Sequence, residues 1–520
     1  MERWETKTII CDGGLDIVTS ILEQGTLMPG AARSLINYEP AESRGYRKVL
    51  GYTKFDNAVV PGEVDSPVLG VHPCSDGAFA VRKSTASTPS YDVYRSETSG
   101  WTKLNTVARE NVVTKARFIG YNLTEQVNIL TDGANPALKI APSGVTEIDH
   151  IDAPVDPSFA VEHLARLILS GYSSNPAAIS LSAPNNDEDF SADSGAIEFV
   201  VGDTVRGLAS FREVLYIFCT SSIHKLVGNT SETFAILPVT TQIGCIDGDT
   251  IQEVGGDLIY LAPDGLRSLA ATERIGDVEL GLQSLQIQPR ILQVLANQPT
   301  VYSSIVIPSK SQYRIFPYIA DVDPTSQTAF LGKFNPTENN RQYQWSTLTG
   351  FPVYSAGSLC RASGTSVVVI GHPTDGFVYR LESSGGFDGQ PIPFEIKSPP
   401  ITFDDINILK VLYKINILGE SEVTTNFQQR MILDEYEAAQ VSLQPTAQGV
   451  TLTGAGAVFG SAIFDVDVFA DLSIPRIDRL NIEGSCTTVT VAITGSDTRL
   501  PHRIDGYIIT YASKSRKVGD

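Results

Sequence analysis

The sequence predicts an all-β protein: a β-propeller of six to eight blades, with seven as the best count, followed by a second, β-sandwich-like domain. Short apolar runs separated by tight turns recur through most of the chain, and several of these turns contain Asp-Gly. The turns follow one another at intervals of about 50 residues, a spacing typical of propeller blades. After a proline-rich stretch at 391–400 the apolar runs become longer, which indicates a change of domain.

The hairpin at residues 258–269 is the clearest unit of this pattern. An apolar run at 258–262 enters Pro263-Asp264-Gly265 and continues as a second apolar run, so two strands meet at a tight turn whose glycine accepts a positive φ. We expect three further Asp-Gly turns to join two strands in the same way: Asp76-Gly77, Asp132-Gly133 and Asp375-Gly376. Three hairpins without Asp-Gly are expected to turn near Gly171, Ser221 and Lys310.

Seven strand pairs follow from the alternation of apolar and polar residues. They are 78–81 with 91–94, 127–130 with 138–140, 164–169 with 179–181, 215–218 with 223–227, the 258–269 hairpin, 305–307 with 313–316, and 367–370 with 377–381. The interval 283–295 has leucines at helical spacing and is the one predicted helix.

These patterns divide the chain into three parts. Residues 1–60 form an N-terminal arm, 61–385 the propeller, and 386–520 the β-sandwich-like domain, for which longer strands are predicted at 408–418, 462–469 and 487–493. The arm has many turn residues and little apolar periodicity, so we expect it to lie against another domain or another subunit. Deleting residues 1–56 is therefore expected to leave the propeller folded.

The composition excludes several classes of protein. Lys plus Arg total 39 against 59 for Asp plus Glu, and the formal charge of −20 opposes stable binding to nucleic acid or to an anionic membrane. The six cysteines are scattered singly, without the spacing of a zinc or redox motif. The acidic N-terminus lacks the basic and apolar regions of a signal peptide, which favours synthesis and assembly in a cytoplasm.

Three blocks of sequence resemble a known family, the tail nozzle proteins of short-tailed phages, often labelled packaged-DNA stabilisation proteins. The first block lies in the arm, the second around the 258–269 hairpin and the third near the C-terminus. The first block contains Pro29-Gly30-Ala31-Ala32, Asn37-Tyr38-Glu39-Pro40, Gly45-Tyr46-Arg47-Lys48, Gly51-Tyr52 and Phe55-Asp56. The second contains Ile243-Gly244-Cys245 and residues 255–261 and 264–267. The third contains Ile482-Glu483-Gly484 and Asp505-Gly506-Tyr507.

The resemblance implies a structural virion protein. Such a protein would form a homo-hexameric ring on a portal-bound adaptor, with tail spikes or fibres and a needle or plug protein as neighbours. It would help to retain packaged DNA and let double-stranded DNA pass without binding it stably. The chain would then be located in the virion tail after assembly in the host bacterial cytoplasm, with no catalytic activity, no cofactor and no membrane anchor.

Four arm residues are candidates for an interface: Tyr38, Tyr46, Arg47 and Tyr52. They combine aromatic bodies or a guanidinium with polar tips, a composition enriched at the centre of protein interfaces.

No catalytic, cofactor or metal site is predicted. Asp187-Glu188-Asp189 has carboxylates that could bind a hard cation but is more simply a solvated loop, and Asp247-Gly248-Asp249 lacks the further ligands of a calcium loop, so a turn-capping role is favoured. The six histidines show no metal spacing. The alternative function is a propeller enzyme or a carbohydrate-binding module, because the carboxylates of glycosidases need no local motif.

Overall fold

A computed structural model describes the whole chain except residues 1–3, 43, 76, 87–89, 105–108, 110–112, 123–125, 143, 270–280, 336–342, 361–365, 404, 436–443, 455–475 and 515–520. Asp76 and the predicted strand at 462–469 lie outside the described residues.

The arm consists of short elements. They are β1 (Trp4–Ile10), α1 (Ile21–Leu27), β2 (Ser34–Ile36), β3 (Tyr38–Pro40), β4 (Tyr46–Lys48) and β5 (Gly51–Lys54). The side chain of Ser20 accepts a hydrogen bond from the Glu23 amide and caps the N-terminus of α1. The four strands β2 to β5 have three or four residues each, so they can be stable only as parts of larger sheets.

The next four sheets each have four antiparallel strands in sequential order, the arrangement of a propeller blade. Blade 1 contains β6 (Val68–Cys74), β7 (Gly77–Lys83), β8 (Tyr91–Glu97) and β9 (Gly100–Lys103). Blade 2 contains β10 (Arg117–Asn122), β11 (Gln126–Thr131), β12 (Leu138–Ala141) and β13 (Gly144–Glu147). Blade 3 contains β14 (Phe159–His163), β15 (Arg166–Ser170), β16 (Ala178–Leu181) and β17 (Ile197–Val200). Blade 4 contains β18 (Val205–Phe211), β19 (Val214–Cys219), β20 (Ile223–Val227) and β21 (Ala235–Thr240).

The ring continues through a three-stranded sheet and two further blades. The sheet contains β22 (Gln252–Val254), β23 (Asp257–Ala262) and β24 (Gly265–Ser268), and α2 (Gln288–Ala296) follows it. Blade 5 contains β25 (Val301–Ile307), β26 (Gln312–Tyr318), β27 (Ala329–Phe334) and β28 (Tyr343–Leu348). Blade 6 contains β29 (Ser355–Cys360), β30 (Ser366–Gly371) and β31 (Val378–Ser384), and β5 of the arm is its fourth strand.

The fold is therefore a β-propeller, and the predicted fold class is confirmed. It has six complete four-stranded blades, and the place that the sequence assigns to a seventh is occupied by the three-stranded sheet around the 258–269 hairpin. The ring closes where β29 of blade 6 lies beside β6 of blade 1. Because β5 comes from the arm, residues that the sequence assigns to the arm complete the last blade.

The C-terminal strands form two sheets together with the arm, and all pairings in these sheets are antiparallel except the short parallel pairing of β2 with β28. The strands are β32 (Ile392–Lys397), β33 (Lys410–Ser421), β34 (Thr425–Leu433), β35 (Gln448–Leu452), β36 (Arg476–Cys486), β37 (Val489–Asp497) and β38 (His502–Ser513). One sheet has the order β3-β4-β38-β33-β36, and β1 also pairs with β38. The other is continuous with blade 5, since β28 pairs with β2, β2 with β32, and β37, β34 and β35 follow. Buried residues of both sheets belong to one apolar cluster.

All seven predicted strand pairs are present. The helix predicted at 283–295 is present as α2, which begins at Gln288, but it is not the one helix of the chain, because the arm contains α1. Local turn chemistry explains the success with the strand pairs. Gly255 and Gly256, between β22 and β23, have φ of +61° and +78°, which a two-residue hairpin loop of this kind requires. None of the helices in the described part of the chain has the length and apolarity needed to cross a bilayer.

Candidate functional site at the propeller axis

The predicted turn residues lie in hairpin connections or beside them. Asp132 accepts hydrogen bonds from the amides of Ala134 and Asn135, and Gly133 has a φ of +73°. Asp264 pairs with Arg267, and Gly265 begins β24 with a φ of +140°. Asp375 accepts from the Phe377 amide at 2.9 Å and Gly376 has a φ of +72°. Gly77 is the first residue of β7.

Three of the four interface candidates are buried within the chain itself. Tyr38 is 0% exposed, Tyr46 1% and Tyr52 7%. Tyr38 contacts Phe394, and Tyr52 stacks on Phe387 with ring centroids 5.1 Å apart. These three side chains therefore make their contacts inside the fold.

Arg47 differs from these three because it is only half-buried. It lines a cleft between the arm and the C-terminal sheets, together with Glu42, Glu420 and Glu422. Within the described residues Arg47 has no ion pair. Of the four candidates it is the one that remains available to a partner.

A polar cavity with a volume of about 290 Å³ lies on the propeller axis. The innermost strands of all six blades line it, together with the segment 248–252 that leads into the three-stranded sheet. Its wall consists of residues from seven separate stretches of sequence: 71–72, 115–119, 159–160, 207–208, 248–252, 303–304 and 355–358.

An ion cluster forms one side of this cavity. Asp249 lies 2.7 Å from Lys115 Nζ and 2.9 Å from Arg117 Nη2, and Arg117 Nε completes a bidentate contact with both carboxylate oxygens. These two cations lower the pKa of Asp249 against the opposing effect of burial. The guanidinium of Arg117 also lies over the Phe159 ring, 4.8 Å from its centroid. Asp249 is therefore a permanently ionised group held in a fixed position.

Asp247 is the second carboxyl of the cluster. Its side chain accepts a hydrogen bond from the Asp249 amide at 2.8 Å and caps the 3-10 turn Gly248–Thr250, so the predicted turn-capping role is confirmed. Burial and the negative charge of Asp249 raise the pKa of Asp247 to about 6. Asp247, which holds a proton in weak acid, thus lies close to Asp249, which stays ionised.

Three other wall residues have hydrogen-bonding capacity that the protein does not use. Burial lowers the pKa of His72 to about 4, so its imidazole is neutral near pH 7. Within the described residues neither ring nitrogen of His72 has a hydrogen-bond partner, and the same is true of the Ser358 hydroxyl and the Gln252 side-chain carbonyl. The His72 ring stacks on Phe118, with centroids 6.0 Å apart.

Two carboxylates of the acidic loop at 187–189 are engaged in contacts within the chain. Asp187 accepts from Tyr121 at 2.8 Å and pairs with Lys139 at 2.7 Å, and Glu188 pairs with the same lysine. In the part of the chain that the structure describes, no group of three or more His, Cys, Asp or Glu side chains could hold a metal ion.

No protein-family model and no curated protein sequence matches the chain. Solved structures with similarity to it include an exo-β-1,3-galactanase of Phanerochaete chrysosporium, with 10% identity over 89% of this chain and 100% of that one and a TM-score of 0.25. A second is the extracellular domain of a hybrid two-component system protein of B. thetaiotaomicron, with 8% identity over 64% of this chain and 39% of that one and a TM-score of 0.39. A third is a CNH domain, AfRom2, with 9% identity over 65% of this chain and 99% of that one and a TM-score of 0.36.

These similarities correct one prediction. The expectation that the chain is not an enzyme does not stand, because three of the similar structures are of the galactanase, two of them with bound β-1,3-galactotriose. At this level of identity and TM-score the likeness assigns no activity to the chain. The chemistry has to be argued from the residues themselves.

Proposed function

We propose that the chain is a structural protein of the tail of a short-tailed phage, where copies of it form the nozzle ring through which DNA leaves the particle. One observation carries the proposal. The three blocks of sequence that resemble the nozzle family meet in a single buried cluster: Tyr38 and Tyr46 from the arm, Ile259 and Leu261 from the 258–269 hairpin, and Tyr507 from the C-terminal block.

Close backbone contacts connect the arm block and the C-terminal block through β1, which packs against both. A side chain at Gly30 would place its Cβ 1.9 Å from the Ile10 carbonyl oxygen, and one at Gly506 would lie 2.2 Å from that of Ile9. The Tyr46 hydroxyl lies 2.8 Å from the carbonyl oxygens of Asp12 and Gly30. The residues that carry the resemblance are thus those that the packing requires, which supports a shared fold with that family.

A buried ion network fastens the arm to the propeller. Glu39 is 3% exposed and lies 2.8 Å from Lys310 Nζ and 3.4 Å from Arg314 Nη2. The same two cations pair with Glu382 of blade 6 at 2.5 and 2.6 Å, and they lower the pKa of Glu382 against the effect of its burial. The arm therefore joins blade 5, blade 6 and the C-terminal sheets into one body, as a ring component that bears load during DNA ejection needs.

The partners follow from the proposed role. The ring is a homo-hexamer on a portal-bound adaptor, with spikes or fibres and a needle or plug protein as neighbours, and Arg47 in its acidic cleft is a contact residue. With a formal charge of −20 per chain, the ring repels phosphate and retains DNA by closing the exit together with these partners.

A genetic experiment and a biochemical experiment test the proposal. Particles assembled without this chain should lose their packaged DNA, and wild-type chain supplied in trans should restore retention. The purified protein should fail to shift duplex DNA in a gel at roughly 150 mM salt, where charges are screened over about 8 Å. Full retention of DNA by particles that lack the chain would contradict the proposal, and micromolar, salt-sensitive duplex binding would contradict the role of the acidic surface.

The axial cavity favours a second candidate function, recognition or cleavage of a carbohydrate by the propeller. Its wall combines a fixed carboxylate, Asp249, with aromatic rings and unused hydrogen-bonding groups, a combination suited to polar ligands. Asp247, a carboxyl that holds a proton below about pH 6, is not on the wall but accepts a hydrogen bond from the Asp249 amide. A screen of the purified chain against immobilised glycans and chromogenic glycosides tests this candidate, and no binding and no hydrolysis in either screen would eliminate it.

A further inference from the structure

We propose that the axial cavity is a binding site for a neutral, polyhydroxylated ligand about the size of one sugar ring. This inference rests on the second candidate function and adds to it the place of binding, the charge of the ligand and the residues that contact it. It is independent of the tail-nozzle proposal, because the cavity lies within a single chain.

The size of the cavity sets the first limit on the ligand. A volume of about 290 Å³ is at the lower end of the range for small-molecule sites, roughly 300–1,000 Å³. It corresponds to about ten water molecules at roughly 30 Å³ each. The side chains of Arg117 and Asp249 keep 21% and 18% of their surface exposed, so the ion cluster can be reached from the cavity. A single ring with its hydroxyl groups fits this space, and a long oligomer does not.

The balance of charge sets the second limit. The charged groups on the wall are Lys115, Arg117 and Asp249, and both cations pair with Asp249. Asp247 is buried next to this cluster, where it feels the charges of both cations, and near pH 7 the two positive and two negative charges cancel. Each charged group on the wall is already paired, so a charged ligand would have to break an ion pair or enter without a counter-charge, and both are costly in a confined site. The cluster therefore favours a neutral ligand.

The unused hydrogen-bonding groups set the third limit. Within the described residues, neutral His72 has one donor and one acceptor without a partner, Ser358 can act as either, and Gln252 has a free carbonyl because its amide group donates to Ser304 at 3.1 Å. A ligand that satisfies them must both donate and accept. Hydroxyl groups do so, and the rings of Phe118 and Phe159 on the same wall suit the C–H faces of a sugar.

The first experiment measures binding to the wild-type protein by isothermal titration calorimetry at pH 7.5. The neutral probes are glucose, galactose, mannose and N-acetylglucosamine. Glucuronate and galacturonate, which are fully ionised at pH 7.5, are the charged counterparts of glucose and galactose, and cyclohexanol is a ring with one hydroxyl group. We expect at least one neutral sugar to bind, with both charged counterparts and cyclohexanol at least about tenfold weaker, a difference of about 1.4 kcal/mol. Equal or tighter binding of a charged counterpart would overturn the inference.

Two variants test the location. His72→Phe keeps a ring against Phe118 but removes both nitrogens, and Ser358→Leu fills part of the cavity. Each should weaken sugar binding at least about tenfold. The control, His150→Ala, changes a histidine that lies beside Asp189, outside the cavity wall, and should bind as the wild type does.

The outcomes distinguish two claims: that the chain binds carbohydrate, and that it does so in the axial cavity. If the chain binds carbohydrate but both cavity variants bind it unchanged, the cavity is not the site and the second candidate function survives. If no neutral sugar binds and the glycan screen is also negative, the cavity holds only water and both fail. A crystal structure of the wild-type protein soaked with the tightest-binding sugar locates the ligand even if a variant does not fold, and density outside the axis would overturn the inference.

Discussion

The hydroxyl of Tyr38 lies 2.7 Å from Nε2 of His502, a residue 464 positions further along the chain. Both side chains are 0% exposed. The imidazole stacks on Phe427 with ring centroids 5.5 Å apart, and it meets Phe394 edge to face. Burial among these rings lowers the pKa of His502 to about 4. The contact joins the arm to the C-terminal sheets, and it makes their stability depend on pH.

We predict that the protein loses stability as the pH falls from 6.5 towards 4. In this range the unfolded chain protonates His502, whereas the folded chain keeps it neutral, so the free energy of unfolding decreases. His502 alone contributes on the order of 3 kcal/mol, and its full contribution is present above pH 6.5. Denaturant unfolding at pH 7 and pH 5 measures the effect.

His502→Phe is the matched variant for this prediction. It should be less stable than the wild type at pH 7, because Tyr38 loses its partner, but it should lose less stability between pH 7 and pH 5. The same loss in both proteins would show that His502 is not the source.

We predict that Glu39→Ala lowers the free energy of unfolding by about 3–5 kcal/mol, the usual cost of breaking a buried ion pair by removing one partner. The change leaves Lys310 and the fully buried Arg314 with one counter-charge between them. Glu42→Ala, three residues further along the arm and exposed, is the control and should change stability by less than about 0.5 kcal/mol. Similar urea midpoints for both variants would refute the role of the network.

Close packing predicts a difference between two glycine substitutions. Gly30→Ala forces a methyl group against the Ile10 carbonyl oxygen and should lower the free energy of unfolding by about 1–3 kcal/mol. Gly449→Ala, where the nearest atom to a new Cβ is 4.0 Å away, should be neutral or slightly stabilising. Thermal unfolding under identical conditions compares them, and equal melting temperatures would argue against the close contact of the arm.

Deleting residues 1–56 should abolish cooperative folding. The deletion removes β5, the fourth strand of blade 6, together with the buried Tyr38, Tyr46 and Tyr52. This expectation reverses the one drawn from the sequence alone. Circular dichroism and thermal unfolding of the truncated chain provide the measurement, with deletion of residues 1–3 as the control. A soluble truncated chain with a sharp transition would restore the view of the arm as a separate part.

The sequence predicted the propeller because its hairpins are local. Each predicted strand pair consists of two alternating runs within about 20 residues, and three of the pairs enclose an Asp-Gly turn. It did not predict how the arm folds, because β2, β3 and β4 have three residues each, too few to show alternation. β3 and β4 pair with each other, but β2 pairs with β28 and β32 and β4 pairs with β38, and these partners lie hundreds of residues away. Tyr38 and Tyr46 have the composition of interface residues, and nothing local distinguishes an interface between subunits from one within the chain.

The axial cavity was missed for a similar reason. Its wall collects residues from seven separate stretches of the chain, so no motif marks it, and neither Lys115 nor His72 stands out in its own neighbourhood. Asp247-Gly248-Asp249 was the one local signal. Its turn-capping role could be predicted from the sequence, but the ion pairs of Asp249 depend on Lys115 and Arg117, which lie more than 130 positions earlier.

Electron microscopy of tails tests the tail-nozzle proposal most directly. The proposal requires that a phage encodes this chain. Its purified tails should then show a six-fold ring of propeller-shaped subunits at the distal end, below the portal-bound adaptor, and the ring should disappear from particles assembled without the chain. Tails with an intact distal ring in the absence of this chain, or particles in which the chain is not found, would contradict the account.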